Sequence, residues 1–141
     1  LYTMTATTVA REAKRKDGRL ISYPMAAVKI PKGALVSINA AGYATNASDT
    51  AGEKFAGVAY ETIDNSAGSP GALSIRVETT GTFVFIDGGA NGAQTDVGVE
   101  FNIVDNQTVT DAATTNNVKA GVAVESISPT QVRLRIDRYA S

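Results

Sequence analysis

An all-β domain is what this sequence predicts, and three observations predict it. Val and Ile together number 23 and Thr another 16, against only 5 Leu. Side chains branched at Cβ are stiff at χ1 and suit a pleated sheet better than a helix. Gly is frequent, at 13 residues, and supplies turns and bulges. From Leu20 onward, short branched segments alternate with Gly, Asn, Asp and Pro punctuation. The chain has 141 residues, 43% hydrophobic and 19% charged, which fits one globular domain.

In chain order, Leu20–Tyr23 and Ala26–Ile30 flank Pro24, which marks an edge or a bend because it has no N–H for a ladder. Ala34–Asn39 alternates as a strand, turns at Ala41-Gly42 and returns as Tyr43–Asn46. Phe55–Ile63 follows, then a loop Asp64–Gly71. In Ala72–Thr79, Leu73, Ile75 and Val77 alternate with Ser74, Arg76 and Glu78, so one face is buried and the other wet. Thr82–Ile86 comes after Gly81, and a long loop Asp87–Gly98 after that. Val99–Val104, a turn at Asp105-Asn106 and Gln107–Thr110 read as a second hairpin. Val118–Ile127 and Gln131–Asp137 close the chain, with Val132, Leu134 and Ile136 alternating against Arg133, Arg135 and Asp137.

Two stretches match. Ala56-Gly57-Val58-Ala59-Tyr60-Glu61-Thr62-Ile63 returns 64 positions later as Ala120-Gly121-Val122-Ala123-Val124-Glu125-Ser126-Ile127. The match extends outward, with the Gly33 strand and its turn answering the Gly98 strand and its turn. Leu73/Ile75/Val77 likewise answers Val132/Leu134/Ile136. The order predicts a duplicated unit, and two such units are expected to share one closed or nearly closed sheet. Gly57 and Gly121 interrupt strands, so each marks a bulge, a tight corner or the close approach of another backbone or ligand.

Charge divides the chain. Residues 1–32 carry seven basic and two acidic groups, whereas residues 33–141 carry six basic and twelve acidic ones, a split of +5 against −6. Residues 1–19 hold too few bulky apolar groups for a core and read as an extended arm ahead of a single domain spanning residues 20–141. A short helix over Val9–Lys16, stopped by Gly18, fits the local pattern without a capping box to support it. The cations Arg11, Lys14, Arg15, Lys16 and Arg19 are the candidate docking residues. Three uses compete: a solvated tail, a contact with an acidic protein surface, or a contact with nucleic acid. The last is not expected, because the arm has no clear stacking platform and the body is acidic.

The residues present exclude much chemistry. With no Cys and no His, the chain cannot build disulfides, thiol nucleophiles, Cys/His metal centres or a His-dependent triad. The loop Asp87-Gly88-Gly89-Ala90-Asn91-Gly92-Ala93-Gln94 lacks the Lys-Ser/Thr of a phosphate cradle and the Asp spacing of a calcium loop. The carboxylates are scattered and no pair stands out, so no catalytic residue, cofactor or metal is expected. No apolar run approaches the ~20 residues of a membrane span, and no membrane partner is expected.

The succession Lys32-Gly33-Ala34-Leu35-Val36, Ala56-Gly57-Val58-Ala59, Val77-Glu78-Thr79-Thr80-Gly81-Thr82-Phe83, Val97-Gly98-Val99 and Ala120-Gly121-Val122-Ala123 resembles the capsid cement, or head decoration, proteins of tailed bacteriophages. The resemblance spans residues 20–137 and rests on the order of the motifs. It implies a small antiparallel β-barrel or tulip-like sandwich on the outer surface of the capsid, clamping neighbouring subunits of the major capsid protein. It also implies self-association as a homotrimer and no catalytic residues. A phage tail or fibre β-module binding a host surface or glycan is the competing expectation. Such sites usually show exposed aromatics, and this chain has no Trp.

Overall fold

The computed structural model describes residues 6–14, 16–89 and 92–137. Twelve strands form there: β1 (Leu20–Pro24), β2 (Lys29–Ile30), β3 (Leu35–Ile38), β4 (Ala44–Asn46), β5 (Lys54–Ala59), β6 (Ile63–Asp64), β7 (Ser74–Glu78), β8 (Thr82–Asp87), β9 (Glu100–Ile103), β10 (Thr108–Thr110), β11 (Lys119–Ser128) and β12 (Gln131–Arg135). A 3-10 turn at Gln94–Asp96 is the only helical element among the described residues. The all-β reading holds. The segment expected as one strand over Phe55–Ile63 is two, β5 and β6: Tyr60 N–H still donates in register to the Arg76 carbonyl of β7 at 3.0 Å, and the break falls over residues 60–62.

The expectation of one shared sheet is corrected: each unit builds its own. The first is ordered β1-β7-β5-β3-β4, and the second is a closed barrel β10-β8-β12-β11-β9. Read from β8, the second order is β8-β12-β11-β9-β10, the same as the first strand for strand. Backbone bonds repeat with it. Gly33 N–H to the Ala59 carbonyl (2.9 Å) matches Gly98 N–H to Ala123 (2.8 Å), and Met25 to Leu73 (2.9 Å) matches Asp87 to Thr130 (2.9 Å). Thr79 to Arg19 (2.9 Å) matches Ile136 to Gly81 (3.0 Å). Ile75, Val77 and Thr79, rather than Leu73, Ile75 and Val77, therefore answer Val132, Leu134 and Ile136, a slip of one inward position from the expected match. Gly33 and Gly98 sit at φ 85° and 92°, the left-handed region that makes glycine the residue of choice at the entry to each hairpin.

Closure differs between the units for a covalent reason. In the second, β8 and β10 pair in parallel, with Ile86 N–H donating to Gln107 at 3.0 Å and Gly88 N–H to Val109 at 2.7 Å. In the first, Ala26 N–H reproduces the latter bond to Ala44 at 2.9 Å, and a single parallel bridge joins Met25 to Ala44. The residue standing where the second unit has Ile86 is Pro24, which has no N–H to donate. The first barrel therefore stops one rung short of closure.

Gly57 and Gly121 answer the bulge-or-approach question together. A Cβ on Gly57 would run into the Glu78 carbonyl oxygen, and one on Gly121 into the Arg135 carbonyl oxygen. The approaching backbone belongs to the neighbouring strand, β7 for Gly57 and β12 for Gly121, while a register shift sits on the other side of each, against β3 and β9.

Burial follows the duplication. Met25, Ile30, Val36, Ala44, Ile75 and Val77 fill the first barrel. Phe101, Ile103, Val109, Val132, Leu134 and Ile136 fill the second, joined there by Leu35, Ala47, Phe55 and Val58 from the outer side of the first unit. The first unit thus plugs one mouth of the second. Leu35 N–H donates to the Asn106 carbonyl at 2.8 Å, and the Asn106 amide to Asn46 Oδ1 at 3.0 Å. Asp49 accepts from Thr115 N–H (3.0 Å) and Asn116 N–H (2.9 Å) across the same junction. Desolvation pushes the Asp49 pKa up, but the bonds from Asn116 and Thr115 outweigh it and hold the carboxyl below its usual value. The ladder register shows why the second unit does not present the same plug. Leu35 and Phe55 correspond to Glu100 and Lys119 there, and only Val58 keeps an apolar counterpart in Val122, so charge replaces two of the three apolar side chains at that edge.

Candidate docking arm and barrel mouth

The arm's described residues are exposed and carry no regular secondary structure before Leu20. The short helix over Val9–Lys16 does not form among them. Lys14 sits at φ 51°, a left-handed setting that interrupts a right-handed helix, and a helix would stack Arg11, Lys14 and Arg15 at spacings where like charges repel. Arg11, Lys14 and Lys16 extend into solvent, and Arg15 lies outside the described residues.

Arg19 differs from the other four candidates. Its guanidinium meets Glu78 at 3.2 Å, its carbonyl accepts from Thr79 N–H at 2.9 Å, and the Thr79 hydroxyl bonds the Gly18 carbonyl. Arg19 therefore anchors the arm to β7, and the free part of the arm ends near Lys16. At that root lies a groove of about 600 Å³ lined by Asp17, Arg19, Tyr23, Ile38, Ala56 and Thr79, with Phe55 as a wall. It is the open mouth of the first barrel. Sequence reading missed it, because its members only converge once strand register is known.

The loop tested as a phosphate cradle is a tight turn at its start, with Gly89 N–H donating to Asp87 Oδ1 at 2.9 Å; Ala90 and Asn91 lie outside the described residues. Among the described residues no group of three or more His, Cys, Asp or Glu could hold a metal ion. No helix among them is long and apolar enough to cross a membrane.

Beside that loop, the buried Oδ2 of Asp96 meets no hydrogen-bond donor among the described residues. Desolvation raises its pKa, and the nearby carboxylates of Asp111 and Asp87 raise it further. A carboxyl raised on folding stabilises the fold below its unfolded pKa and loses that contribution as pH climbs through the folded value. Asp96→Asn is therefore expected to raise Tm by a few degrees at neutral pH. The gain should shrink as pH falls through the folded pKa and vanish below the unfolded one, and calorimetry across that range checks it.

Comparisons with known proteins assign nothing: no family model matches the chain, and neither do curated proteins or solved structures.

Proposed function

We propose that this protein is a structural, non-catalytic virion component that decorates the outer surface of a tailed-phage capsid. It cements neighbouring subunits of the major capsid protein, with copies self-associating as a homotrimer. The observation that carries the reading is a solvent-exposed basic arm leading from an acidic, rigid double-barrel body, the arrangement needed to reach across a subunit seam. A segment that orders on docking wraps a large surface at an entropic cost, and many copies on one shell reinforce each other. The motif order of residues 20–137 supports the same reading.

Arg11, Lys14, Arg15 and Lys16 dock on acidic shell surface, while Arg19 holds the arm's root. One exposed ion pair is worth about 0–1 kcal/mol, and salt screens it over ~8 Å at physiological ionic strength. A truncation lacking residues 1–16 keeps every contact of Arg19. It is expected to fold normally yet bind assembled heads about tenfold more weakly at low salt, with the difference shrinking as salt rises. Co-sedimentation with heads measures this. Equal decoration by both forms at every salt concentration would show the arm to be a passive tail.

A further inference from the structure

The duplication supplies an internal reference for every surface of the first unit, and one surface stands out against it. Tyr23, Ile38 and Ala56 correspond by ladder register to Phe85, Ile103 and Ala120. In the second barrel these are 5%, 0% and 1% exposed, because the Leu35–Val58 edge of the first unit covers that mouth. In the first barrel the same three positions are only half-buried and face the 600 Å³ groove. Thr79 there replaces Ile136, which is 1% exposed, and the smaller side chain leaves the groove deeper.

We infer that the open mouth of the first barrel is a docking site for a partner protein, which inserts an aliphatic side chain carried on an extended segment, as Leu35 is inserted into the second barrel. The internal junction is the template for the contact. Leu35 enters with its N–H donating to the Asn106 carbonyl, and the corresponding acceptor in the first unit is the Ala41 carbonyl at the tip of the β3–β4 hairpin.

Two other occupants fit less well. The matching edge of a second copy offers Glu100 and Lys119 where the template has Leu35 and Phe55, so stacking copies would bury charge. The chain's own arm offers Val9 as its one bulky apolar residue between 6 and 18, and Val9 is 73% exposed. The groove's volume lies within the range of pockets that hold ligands. The inference stands apart from the decoration reading: it fixes the chemistry of the partner's contact and not the partner's identity.

The test uses the isotope-labelled full chain and, as probe, a synthetic peptide with the sequence of Lys32–Ile38. Binding of millimolar strength is expected, with NMR shift changes concentrated at Tyr23, Ile38 and Ala56. The same peptide with Leu35→Ala should bind about tenfold more weakly, in line with the loss of a buried aliphatic side chain. Thr79→Ile restores the second barrel's residue and should block the peptide; Ala56→Leu provides an independent block. Absence of these shifts at the highest peptide concentration, or equal shifts in both blocked variants, would overturn the proposal. So would movement of the three resonances on dilution of the free protein, which assigns the mouth to a second copy. Movement on deleting residues 1–16 would assign it to the arm and overturn it equally.

Discussion

Gly121→Ala is expected to destabilise the fold by more than about 3 kcal/mol, among the largest losses for so small a change. The added methyl has nowhere to go. It meets the Arg135 carbonyl oxygen and stands 3.3 Å from Ile136 Cα, and both belong to the neighbouring backbone. A flexible side chain could rotate aside, but here β11 and β12 must move apart and the barrel has no slack strand to absorb the shift. Gly57→Ala meets the equivalent Glu78 carbonyl together with Val77 Cγ1 at 2.8 Å. It is expected to cost at least as much, because Gly57 also sits at φ 155°, where a residue with a Cβ is strained whatever the space. Gly18→Ala, with nothing within 4 Å, is the control and should stay within about 0.5 kcal/mol of the parent. Urea unfolding of the three variants checks the order, and a Gly121→Ala protein as stable as the control would refute the close-approach account.

That pair of glycines also marks how much of the fold was legible in the sequence. The Ala-Gly-Val-Ala motif, the hairpin turns and the alternation of Val132, Leu134 and Ile136 are local patterns, and each lies where periodicity places it. The partition into two sheets was not legible. It depends on whether β8 pairs with β10 or with a strand of the other unit, and a period-2 pattern specifies faces rather than neighbours. Leu35, Phe55 and Val58 show the same limit. They read as ordinary core residues, and only strand register reveals that they belong to the second barrel's core and not their own. The arm's charge was visible from composition, but the anchoring of Arg19 by Glu78 and Thr79 required partners about sixty positions away in sequence. The barrel mouth was hidden for the same reason, since Tyr23, Ile38 and Ala56 share no motif.

Leu35→Glu is expected to cost more than about 4 kcal/mol, a large part of the 5–15 kcal/mol that holds a domain of this kind folded. Leu35 is fully buried and seated in the mouth of the second barrel, where a carboxylate would be desolvated against Val58 and the apolar lining. Leu35→Ala removes the plug without adding charge and should cost about 2–5 kcal/mol. Its signature is local: amide hydrogen exchange should accelerate first at Ile103 and Leu134, which the plug shields, and later at Ile75 and Val77, which lie inside the first barrel. The duplication supplies the matched control. Glu100 occupies the register position of Leu35 and is exposed, so Glu100→Leu should change stability by no more than about 0.5 kcal/mol. The two substitutions exchange the same pair of side chains at equivalent strand positions, which removes propensity and register as explanations and leaves burial at the junction. If Leu35→Ala proved as mild as Glu100→Leu, the first unit would not be plugging the second, and the junction could no longer serve as the template for a partner at the open mouth.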